Sequence, residues 1–498
     1  MNELSIRLDP DAVHTFAAAT GDRNPLHCDP GYARRTSAGA CVVPGVLAVI
    51  AALAAVPGRR LRAATELGVR FSGPMFPGRR YRVAVEERDD AATALVVREG
   101  TTPVLHLDLL SGEPPENAVV PRRQPAAPEP EPSGDRSPGE SRDGAYGLPS
   151  PGALRALGGL LGAGELPDAL LGALGWASWF AGMRVPGRDA VVSGLRVRVT
   201  DRESGGEPRY TARVTAFDPR SGTVAVRGEC TGGGRALEVE LRGFQRRPVP
   251  VPDRASATSV LPPGDRLRGQ QVLAVGGSRG IGAALVSVLA SQGATVWATQ
   301  RAPGPVEALR DEFGEDRVRP LVLDATDPGQ VAAGIDALAG AGVRLDGLVL
   351  SAGPTVPAAG LHPDTVDTFR EFVDTSLTVA LRPLAAALPL LKEGGWVVLL
   401  SSGAVVDIPA QYPQYFVAKS ALEALGRFCA ARHRVRVLLA RAPKMWTDLS
   451  NGPLGGRGTV PTAQVASAAV GWVLGDLPDD GTGLTVLSPE DLAGWVAP

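Results

Sequence analysis

The apolar positions between residues 270 and 301 predict a strand, a tight turn, a helix and a second strand. The run QQVLAV is followed by the glycine-rich segment GGSRGIG, an apolar stretch of helical length and the run ATVWATQR. Gly276, Gly280 and Gly282 would let this turn approach a pyrophosphate closely, and the start of the helix would offer it free N–H groups. The pattern therefore indicates a dinucleotide site, with a turn that binds no ligand as the alternative.

The same segment also fits Gly-x-Ser-x-Gly, the sharp turn that carries the nucleophile of esterases, with Ser278 as that nucleophile. Two features oppose the esterase alternative. Gly282 extends the pattern to Gly-x3-Gly-x-Gly, and neither His362 nor His433 lies in a recognisable triad setting. The predicted cofactor turn then consists of Gly276, Ser278, Arg279, Gly280, Ile281 and Gly282.

A second informative pattern lies near the N-terminus, where FAAATGDRNPLHCDPGYARR precedes the small apolar helix VVPGVLAVIAALAAV. Pro25 prevents a continuous helix through Asp22 and His27, so both are expected in a loop. A carboxylate and an imidazole held together there could move both protons of a water elimination. The free N–H of Gly45, at the start of the next helix, could bind a thioester oxygen. The alternative is a structural turn held by Asp22 and Asn24.

An internal repeat relates AVPGRRLRAATELGVRFSG, at 55–73, to RVPGRDAVVSGLRVRVTD, at 184–201. Each copy follows an apolar helix and leads into alternating strand patterns, which predicts two similar halves. The second half lacks Asp-x-Asn-Pro-x-His, so we expect one active and one supporting half. Trp176 and Trp179 are expected in the core or between the halves, with the lining of an acyl tunnel as the alternative.

Composition agrees with this organisation. A chain of 498 residues, 44% of them hydrophobic, allows about three units of ~150 residues each. A segment rich in Pro, Glu, Ser and Arg between the halves cannot bury a core, which predicts disorder. The expected order is a first half at 1–112, a disordered linker at 113–145, a second half at 146–247, a shorter linker at 248–266 and a last domain at 267–498.

The segment SGAVVDIPAQYPQYFVAK places Ser402, Tyr415 and Lys419 at the spacing Ser-x12-Tyr-x3-Lys. A tyrosine hydroxyl titrates near ~10 in water, so it works at neutral pH only if a nearby cation, here one helical turn away, stabilises the phenolate. A serine hydroxyl can bond the carbonyl oxygen that receives the proton. The trio therefore suits carbonyl reduction or alcohol oxidation, and a surface Tyr and Lys on an ordinary helix is the alternative.

With both C-terminal motifs, residues 269–498 resemble the short-chain dehydrogenase/reductase family, most closely its 3-ketoacyl reductases. The resemblance implies a Rossmann-type α/β fold with a doubly wound parallel sheet. It also implies that Ser402 orients the substrate carbonyl, Tyr415 donates the proton, and Lys419 supports the phenolate and holds the nicotinamide ribose. The matching segments LDATD, LVLSAG and RAPKMWTD imply cofactor contacts from Asp324, Ala352, Gly353 and Thr447.

The expected cofactor is NADPH. The second strand ends in TQR, where an acid would be needed to accept the 2′-hydroxyl of NAD. Arg279 and Arg301 could pair with a 2′-phosphate, and two merely solvated arginines are the alternative. The chain also departs from the family, since Ser351 replaces the first Asn of Asn-Ala-Gly and Ser376 replaces the Asn of the catalytic tetrad. A serine is shorter but can also bond a water.

The N-terminal motif Gly-Asp-x-Asn-Pro-Leu-His-x-Asp resembles the signature of MaoC-like, R-specific enoyl hydratases, and the likeness spans residues 4–111. It implies a hotdog fold and, for the two halves together, an α+β double hotdog. It also implies that Asp22 and His27 form the catalytic dyad and that Asn24 orients their loop. Pro44 stands where these enzymes often have His.

The remaining features narrow the partners. A net charge of −2 gives no electrostatic case for nucleic acid or membrane binding, and the scattered histidines and cysteines do not predict a metal site or disulfides. The N-terminus has no signal-peptide pattern, so a cytoplasmic location is expected. The acyl group should arrive on a separate acyl carrier protein or on CoA. The family likeness implies a homo-oligomer through the reductase domain.

Together these patterns predict a bifunctional 3-ketoacyl reductase and 3-hydroxyacyl dehydratase of fatty-acid or polyketide type. The first alternative runs the same steps backward with NAD, as enoyl-CoA hydratase and 3-hydroxyacyl-CoA dehydrogenase of β-oxidation. In the second, the hotdog pair only binds acyl groups or a partner. In the third, the C-terminal domain is an inactive dinucleotide-binding scaffold, because of Ser351 and Ser376.

Overall fold

The computed structural model describes residues 4–88, 91–113, 117–127, 129–357, 360–410, 412–452, 455–477 and 481–498. The chain divides into two compact units. The first is built mainly from residues up to Pro248, and the second mainly from Val249 onward. The first unit therefore contains both predicted halves, and the second contains the predicted cofactor domain.

The first half of the N-terminal unit begins with a strand and short helices and continues as four strands. Its elements are β1 (Leu4–Arg7), α1 (Pro10–Thr20), α2 (Pro25–Cys28), α3 (Pro30–Ala33), α4 (Gly45–Ala52), α5 (Gly58–Arg62), β2 (Ala64–Phe71), β3 (Arg80–Glu87), β4 (Ala92–Glu99) and β5 (Thr102–Ser111). The second half has β6 (Arg122–Arg123), β7 (Ser141–Ala145), β8 (Gly147–Leu148), α6 (Pro151–Leu160), α7 (Asp168–Met183), β9 (Ala190–Ser204), β10 (Arg209–Asp218), β11 (Thr223–Thr231) and β12 (Gly234–Gln245).

Within the described residues, ten of these strands form one sheet in the order β1-β3-β4-β5-β2-β9-β12-β11-β10-β7. Each half supplies five neighbouring strands, and the antiparallel pair β2–β9 joins them, with Leu67 opposite Val197. These two central strands carry the two copies of the predicted repeat. The sequence repeat is thus a repeat of structure, because each copy occupies the same place in its half.

Helix α7 lies in the core of the N-terminal unit and packs on α4, β9 and β12. Trp176 is fully buried, with its ring 5.1 Å from the rings of Phe180 and Tyr210. Trp179 is also buried and approaches Gly21 of the first half. Both tryptophans are therefore packing residues, one within the second half and one between the halves.

The structure differs from the disordered linker predicted over residues 113–145. Strand β7 pairs with β10, Val119 is buried, and the Glu131 N–H bonds the Met183 carbonyl at 3.0 Å. Residues 114–116 and 128 lie outside the described part of the chain. Composition failed here because a polar, proline-rich segment needs no core of its own when it can bond the backbone of a folded neighbour.

The C-terminal unit alternates strands and helices. Its elements are α8 (Arg254–Thr258), β13 (Gln271–Val275), α9 (Gly280–Ser291), β14 (Thr295–Gln300), α10 (Pro305–Phe313), β15 (Val318–Val322), α11 (Pro328–Gly340), β16 (Leu345–Leu350), α12 (Val366–Ala387), β17 (Leu391–Ser402), α13 (Pro413–Arg432), β18 (Arg436–Ala442), α14 (Thr462–Leu474), β19 (Leu484–Leu487) and α15 (Pro489–Gly494). Helix α8 falls inside the second predicted linker, 248–266, where Ala257 and Leu261 are buried, so this segment also belongs to a folded unit.

Seven parallel strands form the C-terminal sheet in the order β15-β14-β13-β16-β17-β18-β19, counted over the described residues. This is the doubly wound order in which the direction of winding reverses between β13 and β16. Ligands of such sheets bind outside the carboxyl ends of the strands at that reversal. The glycine turn follows β13, so it lies at the predicted place.

The structure also bears on membrane-spanning helices, metal sites and the state of the cysteines. No described helix combines the length and the apolar character needed to cross a bilayer. Across the part of the chain that the structure describes, no cluster of three or more His, Cys, Asp or Glu side chains could hold a metal ion. Cys28, Cys41, Cys230 and Cys429 are free thiols.

Candidate functional site

Asp22 follows helix α1, which ends at Gly21 in the left-handed conformation (φ 77°). The carboxylate is buried, with 2% of the residue exposed. Its Oδ2 accepts a hydrogen bond from Ser178 Oγ at 2.7 Å, and its Oδ1 accepts one from the Asn24 N–H at 3.2 Å. A buried carboxylate is thus held in one orientation by a donor from the second half.

Asn24 is buried as well and turns the loop into helix α2. Its Oδ1 caps the helix by accepting from the Leu26 N–H at 3.0 Å. Its Nδ2 lies 3.1–3.2 Å from the carbonyl oxygens of Gly182, Gly187 and Arg188. The predicted orienting role therefore has a physical basis, because one side chain ties the dyad loop to the segment after α7.

His27 is half-buried, and its Nδ1 lies 2.8 Å from the Val42 carbonyl oxygen. A carbonyl can only accept, so Nδ1 carries the proton and Nε2 keeps its lone pair. Within the described ranges, no hydrogen bond joins Asp22 to His27. The two groups are therefore positioned separately, with Nε2 of His27 available as a base.

Gly45 opens helix α4, and its N-cap residue Pro44 supplies no side-chain hydrogen bond. A Cβ at Gly45 would lie 2.8 Å from Cε1 of Phe71, so only glycine fits beneath that ring. Among the described residues, none accepts from the Gly45 N–H. The helix start therefore keeps the donor that was predicted to bind a thioester oxygen.

The sequence did not reveal Ser178 or Gly182, which lie one turn apart on the face of α7 that meets Asp22. A Cβ at Gly182 would lie 2.3 Å from Asp22 Oδ1, so glycine is required there for the carboxylate to fit. The two tryptophans of α7 predict packing, with an acyl tunnel as the alternative, and they do not indicate a contact with Asp22. The spacing Ser-x3-Gly on α7 gives the one signal that could have suggested a polar neighbour.

The change Ser178→Ala is expected to lower the turnover of the dyad about tenfold, since a hydrogen bond to a charged group contributes about 1.5–3 kcal/mol. Steady-state dehydration or hydration of a short acyl thioester measures this. Ser467→Ala is the matched control, because Ser467 is a fully buried helical serine of the C-terminal unit. Equal turnover in Ser178→Ala and the wild type would contradict the prediction.

The C-terminal site combines the end of β17 with the first turns of α13. Ser402 ends the strand, and its Oγ accepts from the Ala404 N–H at 3.2 Å. Lys419 donates from Nζ to the Leu400 carbonyl at 2.9 Å, and Nζ lies 5.8 Å from the centre of the Tyr415 ring. The turn after Ser402 packs against α13. The trio predicted from spacing is thus built on two adjoining elements.

The two serines that depart from the family pattern have different surroundings. Ser351 donates to the Val275 carbonyl at 2.9 Å, and its Oγ would lie 2.8 Å from a Cβ at Gly282. It therefore fills the space under the glycine turn. Ser376 is buried on α12, and its Oγ bonds no atom in the described part of the chain. A water would satisfy that hydroxyl, as the predicted relay requires.

The glycine turn fits a pyrophosphate. Gly276 has φ 91°, and a Cβ there would lie 2.7 Å from the Ala352 N. Helix α9 is twelve residues long and begins without a side-chain cap, so its first N–H groups remain available. Gly353 has open space beside it. Thr447 approaches Gly280, since a Cβ there would lie 3.5 Å from its methyl carbon.

The residues predicted to select the cofactor are partly committed to protein contacts. Gln300, at the end of β14, is buried, and its Nε2 bonds both Glu307 carboxylate oxygens at 2.6–2.7 Å. Arg279 pairs with Asp448 at 3.2 Å. Arg301 is exposed directly after β14. Asp324 Oδ1 accepts from the Thr326 N–H and hydroxyl at 2.8 and 2.7 Å. Arg301 thus follows the end of the second strand of the unit, at the position from which the sequence predicts a contact with a 2′-phosphate, and Arg279 is paired with Asp448.

The position of His433 does not support the esterase alternative. His433 caps the C-terminal end of α13, next to the start of β18, and the glycine turn lies at the opposite edge of the sheet. A serine nucleophile needs an imidazole within hydrogen-bond reach. The turn is therefore better explained as a binding turn.

A buried ion pair that the sequence did not reveal lies one turn beyond Lys419. Glu423 accepts from Arg441 Nε at 2.9 Å and Nη2 at 2.8 Å, and from Ser401 Oγ at 2.7 Å. Burial alone would raise the pKa of Glu423, but the hydrogen bonds from Arg441 and Ser401 outweigh it and lower that pKa. The pair fastens α13, which carries Tyr415, to β17 and β18.

The change Arg441→Met is expected to destabilise the C-terminal unit by about 3 kcal/mol near pH 7, because the buried Glu423 carboxylate loses the cation that bonds it directly and keeps the more distant Arg427, at 3.9 Å. The folded-state pKa of Glu423 is depressed, so the pair stabilises above the unfolded-state pKa and is lost as pH falls through the folded-state pKa. The difference from the wild type should therefore shrink in acid. Calorimetric unfolding at several pH values measures it, and the double change with Glu423→Gln should recover part of the loss.

Both the C-terminal and the N-terminal part of the chain match models of known protein families. A family model described as enoyl-(acyl carrier protein) reductase matches residues 275–475, and one described as MaoC like domain matches residues 2–108. Benzil reductase ((S)-benzoin forming) of Saccharomyces cerevisiae is 29% identical over 163 residues, which cover 31% of this chain and 62% of that protein. D-threitol dehydrogenase of Mycolicibacterium smegmatis is 30% identical over 224 residues, which cover 41% of this chain and 86% of that protein.

A solved short-chain dehydrogenase/reductase of Saccharomyces cerevisiae aligns at 24% identity with a TM-score of 0.41, covering 46% of this chain and 100% of its own. The chain spans less than two thirds of the benzil reductase but most of the D-threitol dehydrogenase. The match to D-threitol dehydrogenase and the two family models show that the chain belongs to the short-chain dehydrogenase/reductase family of oxidoreductases through its C-terminal part and carries a MaoC-like domain at its N-terminus.

Proposed function

We propose that this chain is a bifunctional enzyme that reduces a 3-ketoacyl thioester with NADPH and dehydrates the 3-hydroxyacyl product to a 2-enoyl thioester. The observation that supports the proposal is that one chain contains both candidate sets of catalytic groups, each held by the hydrogen bonds described above. Ser402, Tyr415 and Lys419 suit a ketone, and Asp22 with His27 suits the elimination of water from the alcohol that the ketone becomes. One product is thus the next substrate.

In the reduction, the dinucleotide held by the glycine turn would, as NADPH, supply the hydride that carbon 3 needs. Ser402 Oγ is expected to bond the carbonyl oxygen, and Tyr415 to give it a proton. Lys419, fastened to the Leu400 carbonyl, is placed to support the phenolate that remains. Ser376 would hold a water that returns a proton toward Lys419. The residues of the glycine turn and Thr447 would hold the dinucleotide.

In the dehydration, Nε2 of His27 would take the proton from carbon 2, because Nδ1 is committed to the Val42 carbonyl. Asp22, in its protonated form, would give a proton to the hydroxyl on carbon 3, which leaves as water, and the proton taken by His27 would then return to Asp22 through solvent. The N–H of Gly45 would bond the thioester oxygen as it gains charge. We further propose that the two halves form a double hotdog, supported by their equal strand order on either side of the β2–β9 pair.

The test is mass spectrometry of 3-ketoacyl-CoA and 3-ketoacyl carrier-protein substrates incubated with the full chain and NADPH or NADH. The proposal expects loss of the ketone and appearance of the 2-enoyl product. A saturated product would indicate enoyl reduction instead. Retention of the ketone with every carrier and cofactor would refute the reductive function. The better carrier identifies the partner, either a carrier protein or CoA.

A second candidate is the reverse sequence, hydration of an enoyl-CoA followed by NAD-dependent oxidation. The Arg279–Asp448 pair favours it, because a neutralised arginine gives less attraction to a 2′-phosphate. The preference for NADPH over NADH separates the two candidates, and it is tested at Arg301.

The change Arg301→Ala is expected to lower kcat/KM for NADPH about tenfold and to leave NADH unchanged, because it removes one cation from the 2′-phosphate. Initial rates with both cofactors measure this. Arg310→Ala is the matched control, since that arginine lies on α10 and pairs with Asp311. A wild type that prefers NADH, with no effect of Arg301→Ala, would favour the reverse sequence.

A further inference from the structure

Residues 129–140 are partly exposed and run along the second half of the N-terminal unit, and we name them the strap. The strap bonds the end of α7 and the segment that follows it, residues 184–189, named here the clamp loop. Glu131 donates from N–H to the Met183 carbonyl and accepts from the Arg188 N–H, both at 3.0 Å. Its carboxylate also pairs with Arg184 at 2.7 Å. The clamp loop thus pairs with the strap through both backbone and side chains.

Two further strap side chains bond the clamp loop. Ser133 Oγ accepts from the Asp189 N–H at 3.0 Å and donates to the Pro186 carbonyl at 3.4 Å. Arg136 is nearly buried, with 8% of its side chain exposed, and Nη2 lies 3.4 Å from the carbonyl oxygens of both Arg184 and Pro186. These contacts fix a loop that has no regular structure of its own.

The clamp loop in turn holds the dyad loop, residues 22–32. Its carbonyl oxygens at Gly187 and Arg188, together with Gly182, receive Asn24 Nδ2. Met183 Sδ accepts from the Arg23 N–H at 3.2 Å. Tyr32 donates its hydroxyl to the Asp189 carboxylate at 2.5 Å. A chain of contacts therefore runs from the strap through the clamp loop to the residues that flank Asp22 and His27.

The position of the strap determines where the backbone acceptors of Asn24 lie. The clamp-loop carbonyls that hold Asn24 lie on a stretch whose other backbone groups bond the strap, so a shift of the strap shifts the acceptors. Gly187 shows how closely the two segments approach, since a Cβ there would lie 2.5 Å from the Glu131 carbonyl oxygen. A displacement of about 1 Å far from the reacting atoms can cost on the order of 10²-fold in rate.

We propose that Ser133 and Arg136 are positioning residues of the dehydration site, acting through the clamp loop on Asn24 and thereby on Asp22 and His27. The inference rests on the proposed dehydratase function for its kinetic part only. The segment that composition predicted to be a disordered linker is then part of the catalytic scaffold.

The experiment uses the full chain with Arg136→Met and Ser133→Ala, and with the conservative changes Arg136→Lys and Ser133→Thr, which keep a donor or a hydroxyl. Arg209→Met is the matched control, because it removes an exposed ion pair with Asp143 in the same half. Three quantities are measured well below the unfolding temperature. They are kcat and KM for dehydration of 3-hydroxybutyryl-CoA, the rate of ketone reduction by the same chain, and amide hydrogen exchange over residues 21–33.

We expect Arg136→Met to lower the dehydration kcat about tenfold with KM and ketone reduction unchanged, and to speed exchange over residues 21–33 but not in β10–β12. Arg136→Lys and Ser133→Thr should restore most of the rate. Unchanged exchange over residues 21–33 in both Arg136→Met and Ser133→Ala would overturn the inference. So would exchange that rises throughout the N-terminal unit with no rescue by the conservative changes, because that indicates general destabilisation.

A wild type that dehydrates no thioester would refute the proposed dehydratase and leave the exchange comparison to decide the inference. The two failures are therefore distinguishable. If Arg136→Met does not fold, Ser133→Ala supplies the same comparison, because it removes only one hydroxyl.

Discussion

Replacement of Tyr415 by phenylalanine is expected to lower the turnover of 3-ketoacyl reduction by roughly 10²–10⁴-fold, the usual contribution of a positioned proton donor. The ring remains, so its contact with Phe372, at 6.3 Å between ring centres, should hold helix α13 in place. Lys419 also stays anchored to the Leu400 carbonyl. Only the proton that the carbonyl oxygen needs is lost. Consumption of NADPH on addition of a 3-ketoacyl thioester measures the effect.

Tyr412→Phe is the matched control for this change, since Tyr412 precedes the same helix and caps it without a side-chain hydrogen bond. Titration of NADPH fluorescence should show that both variants bind the cofactor. If Tyr415→Phe retains more than half of the wild-type turnover, Tyr415 is not the proton donor. The carbonyl would then have to take its proton from another group.

The second large effect is expected from Asp22→Asn, which should lower dehydration by roughly 10²–10⁴-fold and leave ketone reduction intact. Asparagine has the same shape, and its amide oxygen can still accept from Ser178 Oγ, so the loop should remain folded. The amide cannot give a proton to the hydroxyl that leaves as water. The 3-hydroxyacyl thioester should therefore accumulate while NADPH is consumed, and the 2-enoyl product should disappear from the mass spectrum.

Asp11→Asn is the control, because Asp11 is an exposed carboxylate in the first turn of α1. His27→Gln should give the same accumulation as Asp22→Asn, and His14→Gln, at an exposed position of α1, should not. Undiminished enoyl product from both Asp22→Asn and His27→Gln would show that neither group carries the dehydration. A wild type that reduces the ketone but forms no enoyl product would favour a hotdog pair that binds acyl groups without catalysis.

The local sequence was sufficient to predict the candidate site residues that lie only a few positions apart. Tyr415 and Lys419 share a helix face because they are four residues apart, and the three glycines of the cofactor turn lie within seven residues. Asp22 and Asn24 likewise lie in one loop, whereas His27, predicted in the same loop, lies in the short helix α2 that begins at Pro25. The family match at each end confirms the domains to which these motifs belong. Neither match depends on contacts between distant residues.

Contacts across long sequence distances were not predictable in the same way. Ser178 meets Asp22 across 156 residues, and Arg441 meets Glu423 across 18 residues and two elements. The local sequence around a serine in an apolar helix, or around an arginine in a strand, does not predict its hydrogen-bond partner. Composition also misjudged residues 113–145, because a segment without a core can still be ordered by hydrogen bonds to its neighbours.

The sequence by itself determined the two candidate catalytic sets and the glycine turn, because each is encoded in residue types at short, fixed spacing, and it indicated the duplication of the N-terminal half through a repeated pattern. Only the tertiary structure decided what holds those sets in place. Helix α7 supplies the donor to Asp22, the clamp loop holds Asn24, and Arg441 fastens the helix of Tyr415. Such contacts depend on which distant segments the folded backbone brings together, and hydrogen bonds between them form only once packing has fixed both partners.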